Sequence, residues 1–133
     1  HDHQDILPYA NRIIVLKNQA IMATAKTSDL YNNPKNIYTA TLFGEANLIP
    51  INIIKSYGDL EREIIVYAHE FRVSHKKGIP VTVEKCYFMG SHFLVEGNSE
   101  EQIIRFNSEE ALTPGKQVFL NIALETISQR LKP

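Results

Sequence analysis

The sequence has little that would cross-link the chain, anchor it in a membrane or attract a polyanion. Its single cysteine, Cys86, excludes an internal disulfide and fits a reducing compartment. No apolar run approaches the ~20 residues that span a bilayer, and no basic segment of a signal peptide opens the sequence. Lys plus Arg number 14 against 15 Asp plus Glu. This near-balance gives no reason to expect nucleic acid or an anionic membrane as a partner, and the short apolar runs give none to expect direct membrane insertion.

The 133 residues suffice for one modest domain, or for a small domain with an attached arm. The first third has a mixed α/β pattern. Apolar residues 13–16 predict a buried strand, and residues 20–25 predict a returning strand. Thr27 is a plausible N-cap of a short helix that Pro34 ends, and residues 37–43 suit a second helix that ends at Gly44.

From residue 48 onward the pattern changes to short strands separated by turns rich in glycine, proline and asparagine. We predict strands at residues 48–54, 63–68, 79–88, 93–96, 102–107 and 117–124. Several short strands at such spacing favour a small β-barrel. The predicted fold is therefore mainly β, a barrel preceded by a short α/β arm, with the boundary between residues 46 and 47.

Two segments before this boundary resemble the ATP-binding subunits of ABC importers. Residues 27–34 read Thr-Ser-Asp-Leu-Tyr-Asn-Asn-Pro and residues 43–47 read Phe-Gly-Glu-Ala-Asn. They are similar to the Leu/Ile-Tyr-x-x-Pro helix and the Gly-Glu-x-Asn hinge of that family. The opening His1-Asp2, followed by Ala-Asn-Arg-Ile at residues 10–13, resembles the family's switch segment. On this match His1 is the switch histidine that contacts the γ-phosphate in a complete ATPase.

The later segments resemble the accessory TOBE domain of these subunits, a small OB-like barrel. Residues 66–73, 83–92 and 112–120 are similar to three of its motifs in the expected order, although Tyr67-Ala68 replaces the usual Arg-Pro. The resemblance implies that residues 1–46 are the C-terminal remnant of a nucleotide-binding domain and that residues 47–133 are a TOBE-like regulatory barrel.

The resemblance further implies a regulatory and dimerisation region of an importer ATPase subunit, for iron(III) or for spermidine/putrescine. Its partners would be a second copy of the chain and membrane permease subunits, at the cytoplasmic face of the cell membrane. The alternative is a sensor barrel that binds an oxyanion, a metal or a polyamine. An oligonucleotide-binding barrel is disfavoured by the charge balance.

The chain lacks the residues that ATP hydrolysis requires. Its one Gly-Lys pair, Gly115-Lys116, is followed by Gln117, and Glu110 stands where a phosphate loop has its first glycine. No apolar run ends in an Asp-Glu pair that would hold magnesium. We therefore expect no catalytic residue and no cofactor in this chain, with ATP and Mg belonging to the complete parent subunit.

The candidate ligand-binding residues are Gly90, Ser91 and His92, whose turn could present main-chain amides to an anion or solute. The alternative is that Gly90 only supplies the positive φ of a turn. Two metal-ligand sets are conceivable, and we expect neither to bind metal. The first comprises His1, Asp2, His3 and Asp5. The second comprises His69, Glu70, His75 and His92.

Overall fold

The computed structural model describes residues 12–17, 20–54 and 61–131. The switch-histidine assignment of His1 and the first metal set, residues 1–5, lie outside these residues. The arm consists of a strand pair followed by two short helices. Its elements are β1 (Arg12–Lys17), β2 (Ala20–Lys26), α1 (Thr27–Asn32) and α2 (Ile37–Thr41).

The two arm strands pair antiparallel with one another, with a bulge between Val15 and Leu16. The second helix has a capped start. The side-chain oxygen of Asn36 accepts a hydrogen bond from the backbone N–H of Thr39 at 2.9 Å. This bond satisfies one of the free N–H groups of the first turn, which explains why a helix begins directly after Asn36.

The rest of the described chain, from residue 46 onward, is here called the β-domain. It is mainly β, which confirms the predicted fold class. Its strands are β3 (Ala46–Pro50), β4 (Glu63–Tyr67), β5 (Phe71–Ser74), β6 (Ile79–Phe88), β7 (Phe93–Ser99), β8 (Gln102–Ser108) and β9 (Gln117–Ile122). β3 pairs with β4, and the other five form an antiparallel sheet in the order β5-β9-β6-β7-β8. The predicted strand 48–54 ends early, at Pro50, and a 3-10 turn (Ile51–Ile53) follows it.

The chain then forms a third helix, α3 (Leu124–Leu131), which we did not predict. Its first residue, Leu124, is the last residue of the predicted strand 117–124. The sequence does carry a signal for this helix, because Leu124, Ile127 and Leu131 have the spacing of apolar residues on one helix face. Ile127 is buried in the main core of the β-domain, so the helix packs against the sheet through this side chain.

The sheet curls towards closure without a continuous ladder of hydrogen bonds. Its edge strands β5 and β8 contact one another, although no strand pairing joins them in the described residues. The main core lies inside this curl and includes Val81, Val95, Phe106 and Leu120. Gly97 permits close packing there, because a Cβ atom at this position would collide with the side chain of Val81.

The strand β4 separates two hydrophobic clusters. Ile64 and Val66 belong to the main core, whereas Ile65 and Tyr67 belong to a smaller cluster with residues of the two helices. Successive side chains of a strand point to opposite faces, so this alternation places the helices on the outer face of β4. The arm's helices and the β-domain therefore share a packed junction.

Candidate functional site: the junction of the helices with the β-domain

The predicted ligand-binding turn lies at the exposed tip of the β6–β7 hairpin. Gly90 has a φ of +94°, and its surroundings leave space for a Cβ. The side chains of Ser91 and His92 contact each other, with 2.9 Å between Oγ and Nδ1. The backbone N–H of Met89 donates to the carbonyl of His92 at 2.8 Å, which closes the turn. This geometry matches the turn-forming role of Gly90, and ligand binding by these residues stays a prediction.

The four residues of the second metal set have separate partners. His69 contacts Tyr31, Glu70 binds Arg130, and His75 lies 3.4 Å from Glu110, while His92 contacts Ser91. Within the described residues, no three His, Cys, Asp or Glu side chains converge as metal ligands would.

The junction is built around three aromatic rings from three different elements. The rings of Tyr31 and Tyr67 are stacked with centroids 4.9 Å apart, and the ring of His69 lies 5.5 Å from that of Tyr67. The Tyr31 hydroxyl is 2.5 Å from Nε2 of His69. Phe43 adds an edge contact to Tyr31 at 5.7 Å. The tyrosine of the Leu-Tyr-x-x-Pro motif thus contacts the β-domain through its ring and its hydroxyl, and it contacts Phe43 within the arm.

Tyr67 is the centre of this arrangement and is fully buried. Its hydroxyl donates to the main-chain carbonyl of Tyr31 at 2.9 Å, which joins β4 directly to α1. Burial raises the pKa of Tyr67 well above the ordinary value of 10.0, because the apolar surroundings disfavour the phenolate. Burial also raises the pKa of Tyr31, and the negative charge of Glu70 raises it further.

An ion pair between the buried Arg130 and the partly buried Glu70 attaches the third helix to the same centre. Nη2 of Arg130 donates to both carboxylate oxygens of Glu70, at 3.0 and 3.1 Å. The Arg130 guanidinium lies over the Tyr67 ring, 5.5 Å from its centroid, as a cation–π contact requires. Arg130 is only 7% exposed, and its Nε has no hydrogen-bond partner among the described residues. Sequence reasoning missed Arg130, whose partner lies 60 positions away.

Glu70 also organises the backbone at the end of β4. One of its carboxylate oxygens accepts a hydrogen bond from the N–H of Tyr67 at 3.0 Å. Charge-assisted bonds of this kind are stronger than bonds between neutral groups. A single carboxylate thus connects the helix α3 with the strand that carries the central ring.

The hinge motif supplies the last contact of the junction. Asn47 is buried, and its side chain bonds both main-chain groups of Arg105: Nδ2 donates to the carbonyl at 2.7 Å and Oδ1 accepts from the N–H at 2.8 Å. Nδ2 also lies 3.3 Å from the Val66 carbonyl. The asparagine of the Gly-Glu-x-Asn motif therefore holds three strands together where the arm meets the β-domain.

The groups of this site form one connected set of contacts. The rings, the ion pair and the Asn47 amide link α1, the β-domain and α3 into one packed unit. A displacement of α3 would disturb the guanidinium over Tyr67, and Tyr67 is bonded to α1. Packed networks of this kind are the physical means by which two parts of a protein influence one another.

Comparison with known proteins gives relatives of one functional kind. No family model matches the chain. The chain is 24% identical over 151 residues to the spermidine/putrescine import ATP-binding protein PotA of Spiroplasma citri, covering 96% of this chain and 42% of that protein. It is 23% identical over 154 residues to the Fe(3+) ions import ATP-binding protein FbpC of Fusobacterium nucleatum, with the same two coverages. A shorter match, 34% over 73 residues, joins 55% of this chain to 20% of the Agrobacterium fabrum FbpC protein.

The chain thus spans about two fifths of the length of the relatives that match it most fully. Among the described residues, none of the helices has the length and apolar character required to cross a bilayer. The matches cover the arm and the β-domain together, since they extend over nearly the whole chain. The chain is therefore a relative of the ATP-binding subunits of ABC importers for spermidine/putrescine and for Fe(3+).

Proposed function

We propose that this chain is the regulatory and dimerisation region of an ABC importer ATP-binding subunit that serves the uptake of a polyamine or of iron(III). The observation that carries the proposal is the junction: Tyr31 of the family's helix motif is bonded to Tyr67 of the β-domain, and Asn47 of the hinge motif fixes the first strand of that domain to β8. Motif residues that hold two parts together are what a regulatory domain needs to act on a neighbouring catalytic domain.

The chain contributes no catalytic residue in this proposal. The parent subunit supplies the phosphate loop, ATP and Mg, and it works with permease subunits at the cytoplasmic face of the membrane. The β-domain acts through the junction, by favouring one position of the arm's helices over another. Only a difference in contacts between two positions can shift such an equilibrium, and the ring stack and ion pair are contacts that a movement would break.

A hybrid transporter tests this function. In the hybrid, this chain replaces the matching region of the Spiroplasma citri subunit, and ATP-dependent polyamine uptake is measured. We expect uptake to be restored, and Glu70→Gln to change the ratio of uptake to ATP hydrolysis. Glu96→Gln is the matched control, because Glu96 forms an ion pair with Arg105 that is more exposed than the Glu70–Arg130 pair. A folded hybrid that assembles without uptake, or one whose coupling ignores Glu70→Gln, contradicts the proposal.

A separate measurement tests the prediction that this chain does not bind or hydrolyse ATP. The isolated chain should show no nucleotide-dependent rise in melting temperature with Mg-ATP, since a ligand that binds only the folded state stabilises it. A rise of several degrees in a sample free of contaminating ATPase would contradict the non-catalytic assignment.

A second candidate function, a sensor for a cationic solute, is favoured by one groove. This groove of about 440 Å³ lies between β5 and β8, and its lining includes Asn107, Glu109 and Glu110 beside His75 and Arg72. Two carboxylates and an amide oxygen suit the ammonium groups of a polyamine better than they suit an oxyanion. Calorimetric titration with putrescine, spermidine and molybdate tests it. Saturable polyamine binding that Glu110→Gln weakens would support a sensor, and no binding would reject it.

A further inference from the structure

The β6–β7 hairpin projects beyond the rest of the sheet. β6 pairs with β9 only from Ile79 to Thr82, and the last backbone bonds on that side join Val83 to Lys116 and Gly115. Glu84 is the extra residue of a bulge, and beyond it β6 pairs with β7 alone. In the described residues, no strand pairs with the other edge of residues 85–88. An open strand edge presents backbone N–H and C=O groups that another strand can pair with.

The same end of the hairpin carries an exposed apolar surface, the hairpin tip, formed by Tyr87, Phe88, Met89 and Phe93. Phe88 is 70% exposed, Met89 53% and Tyr87 44%. The Phe88 and Phe93 rings, opposite one another across the strand pair, have centroids 5.4 Å apart. The rings of Phe88 and Phe93 thus contact each other, Met89 follows Phe88 at the turn, and Tyr87 lies on the other face of the strand. Exposed apolar side chains of these types are typical of an interaction surface.

The tip has a closed turn and carries no charge beside the open edge. The Met89 N–H to His92 carbonyl bond closes its turn, so the rings are presented on a fixed support. No residue from Cys86 to Gly90 carries a charge, although charged residues are a common protection of strand edges. The bulge at Glu84 precedes the open edge, and Lys85 is the one charged residue of that edge.

We propose that the free edge of β6 at residues 85–88, together with the hairpin tip, is the surface by which two copies of this chain pair antiparallel about a two-fold axis. An antiparallel strand pair is self-complementary, so one edge can serve both copies and the contact closes at two. The pairing would satisfy the open backbone groups and join the two β6-β7-β8 ribbons, while the aromatic tips pack over the seam.

The size of the surface sets the strength of this dimer. Covering the exposed parts of Phe88 and Tyr87 removes on the order of 200 Å² from water in each copy. A standard stable interface needs ~1,200–2,000 Å² in total. We therefore expect a concentration-dependent dimer, in which the tip contributes alongside any contact that the arm makes.

Sedimentation equilibrium of the full chain, at several concentrations, tests the surface. Phe88→Ser should raise the dissociation constant of the dimer about tenfold or more. The matched control is Leu124→Ser, because Leu124 is 66% exposed on α3 and lies outside the proposed interface. A chain that is monomeric throughout, or one whose dimerisation is weakened equally by the two substitutions, overturns the proposal.

Cross-linking gives a second, geometric measurement. The native Cys86 is partly buried against the main core, so the test uses a chain with Cys86→Ser and Tyr87→Cys, whose new thiol is exposed and near the axis; a short bis-maleimide should join two such chains. The control has Cys86→Ser combined with Leu124→Cys. Cross-linking of the Tyr87→Cys chain no better than this control also overturns the interface. The interface extends the dimerisation part of the proposed function. Its failure leaves the importer assignment intact, because the hybrid transporter tests that separately.

Discussion

The side-chain amide of Asn47 takes the place of a neighbouring strand beside Arg105. Its Nδ2 and Oδ1 atoms bond the carbonyl and the N–H of Arg105, as a paired residue would do with its backbone. These two positions lie 58 residues apart in sequence, and Asn47 is buried. The contact joins β3 to β8 where these strands have no ladder between them in the described residues.

Replacing Asn47 by alanine should therefore destabilise the β-domain strongly. Asn47→Ala removes both bonds and leaves the N–H and C=O of Arg105 without their partner, at a cost of about 2–4 kcal/mol. Urea unfolding measures the change. Asn121→Ala is the control, because Asn121 is exposed and donates one bond, to the Lys77 carbonyl; we expect less than ~1 kcal/mol there. Equal costs for the two variants would contradict the bridging role of Asn47.

The free energy of unfolding should fall sharply when the Glu70–Arg130 pair loses its carboxylate. Glu70→Gln leaves the Arg130 cation buried without a counter-charge, which typically costs about 3–5 kcal/mol. The control Glu96→Gln interrupts an ion pair with Arg105 whose side chains are 41% and 21% exposed, and it should cost less than ~1 kcal/mol. Chemical denaturation of the two variants gives the comparison, and a cost for Glu70→Gln within that of the control would contradict a buried junction.

Tyr67 should make the fold sensitive to alkaline pH. Its pKa in the folded chain is raised above 10.0, so above pH 10 the unfolded chain loses this proton first. The contribution of Tyr67 to the free energy of unfolding is thus complete below pH 10. It falls as the pH rises, by at most ~1.4 kcal/mol per pH unit. Tyr67→Phe should make this decline shallower, although it also removes the bond to Tyr31, so the variant starts less stable.

Denaturant titrations between neutral pH and pH 12, combined with ultraviolet spectra that follow phenolate formation, measure this slope. Asn121→Ala removes no titratable group and should keep the wild-type slope. An unchanged slope in Tyr67→Phe would show that Tyr67 does not hold its proton in the folded chain.

A fourth prediction concerns the boundary between the arm and the β-domain. A chain beginning at Asn47 should keep the strand signal in circular dichroism, because its main core lies within the β-domain. It should be less stable than a chain beginning at Thr27. The shorter chain exposes Ile65 and Tyr67 by removing Leu30 and Phe43 of the smaller cluster, and such large losses of packing typically cost about 2–5 kcal/mol. An insoluble or strand-free product would mean that the domain boundary is misplaced.

Local patterns in the sequence were sufficient to predict much of the β-domain. The strand at residues 79–88 has the predicted bounds, and Gly90 has the positive φ expected of its turn. The helices after Thr27 and before Gly44 also lie where they were predicted. These features depend on residues close to one another, since a turn or a cap is decided within a few positions. The motifs singled out Tyr31 and Asn47 without revealing what these side chains bind.

Only the tertiary structure decided the partners. Arg130 and Glu70 lie 60 positions apart, so no periodicity relates them, and the helix that carries Arg130 was missed. The strand β4 is apolar at successive positions because both of its faces are covered, one by the main core and the other by the smaller cluster. The sequence by itself determined where strands, turns and helix caps form, because local conformational preferences act within a few residues. Folding decided which edge, ring and charge meet, because those contacts depend on the path of the whole chain.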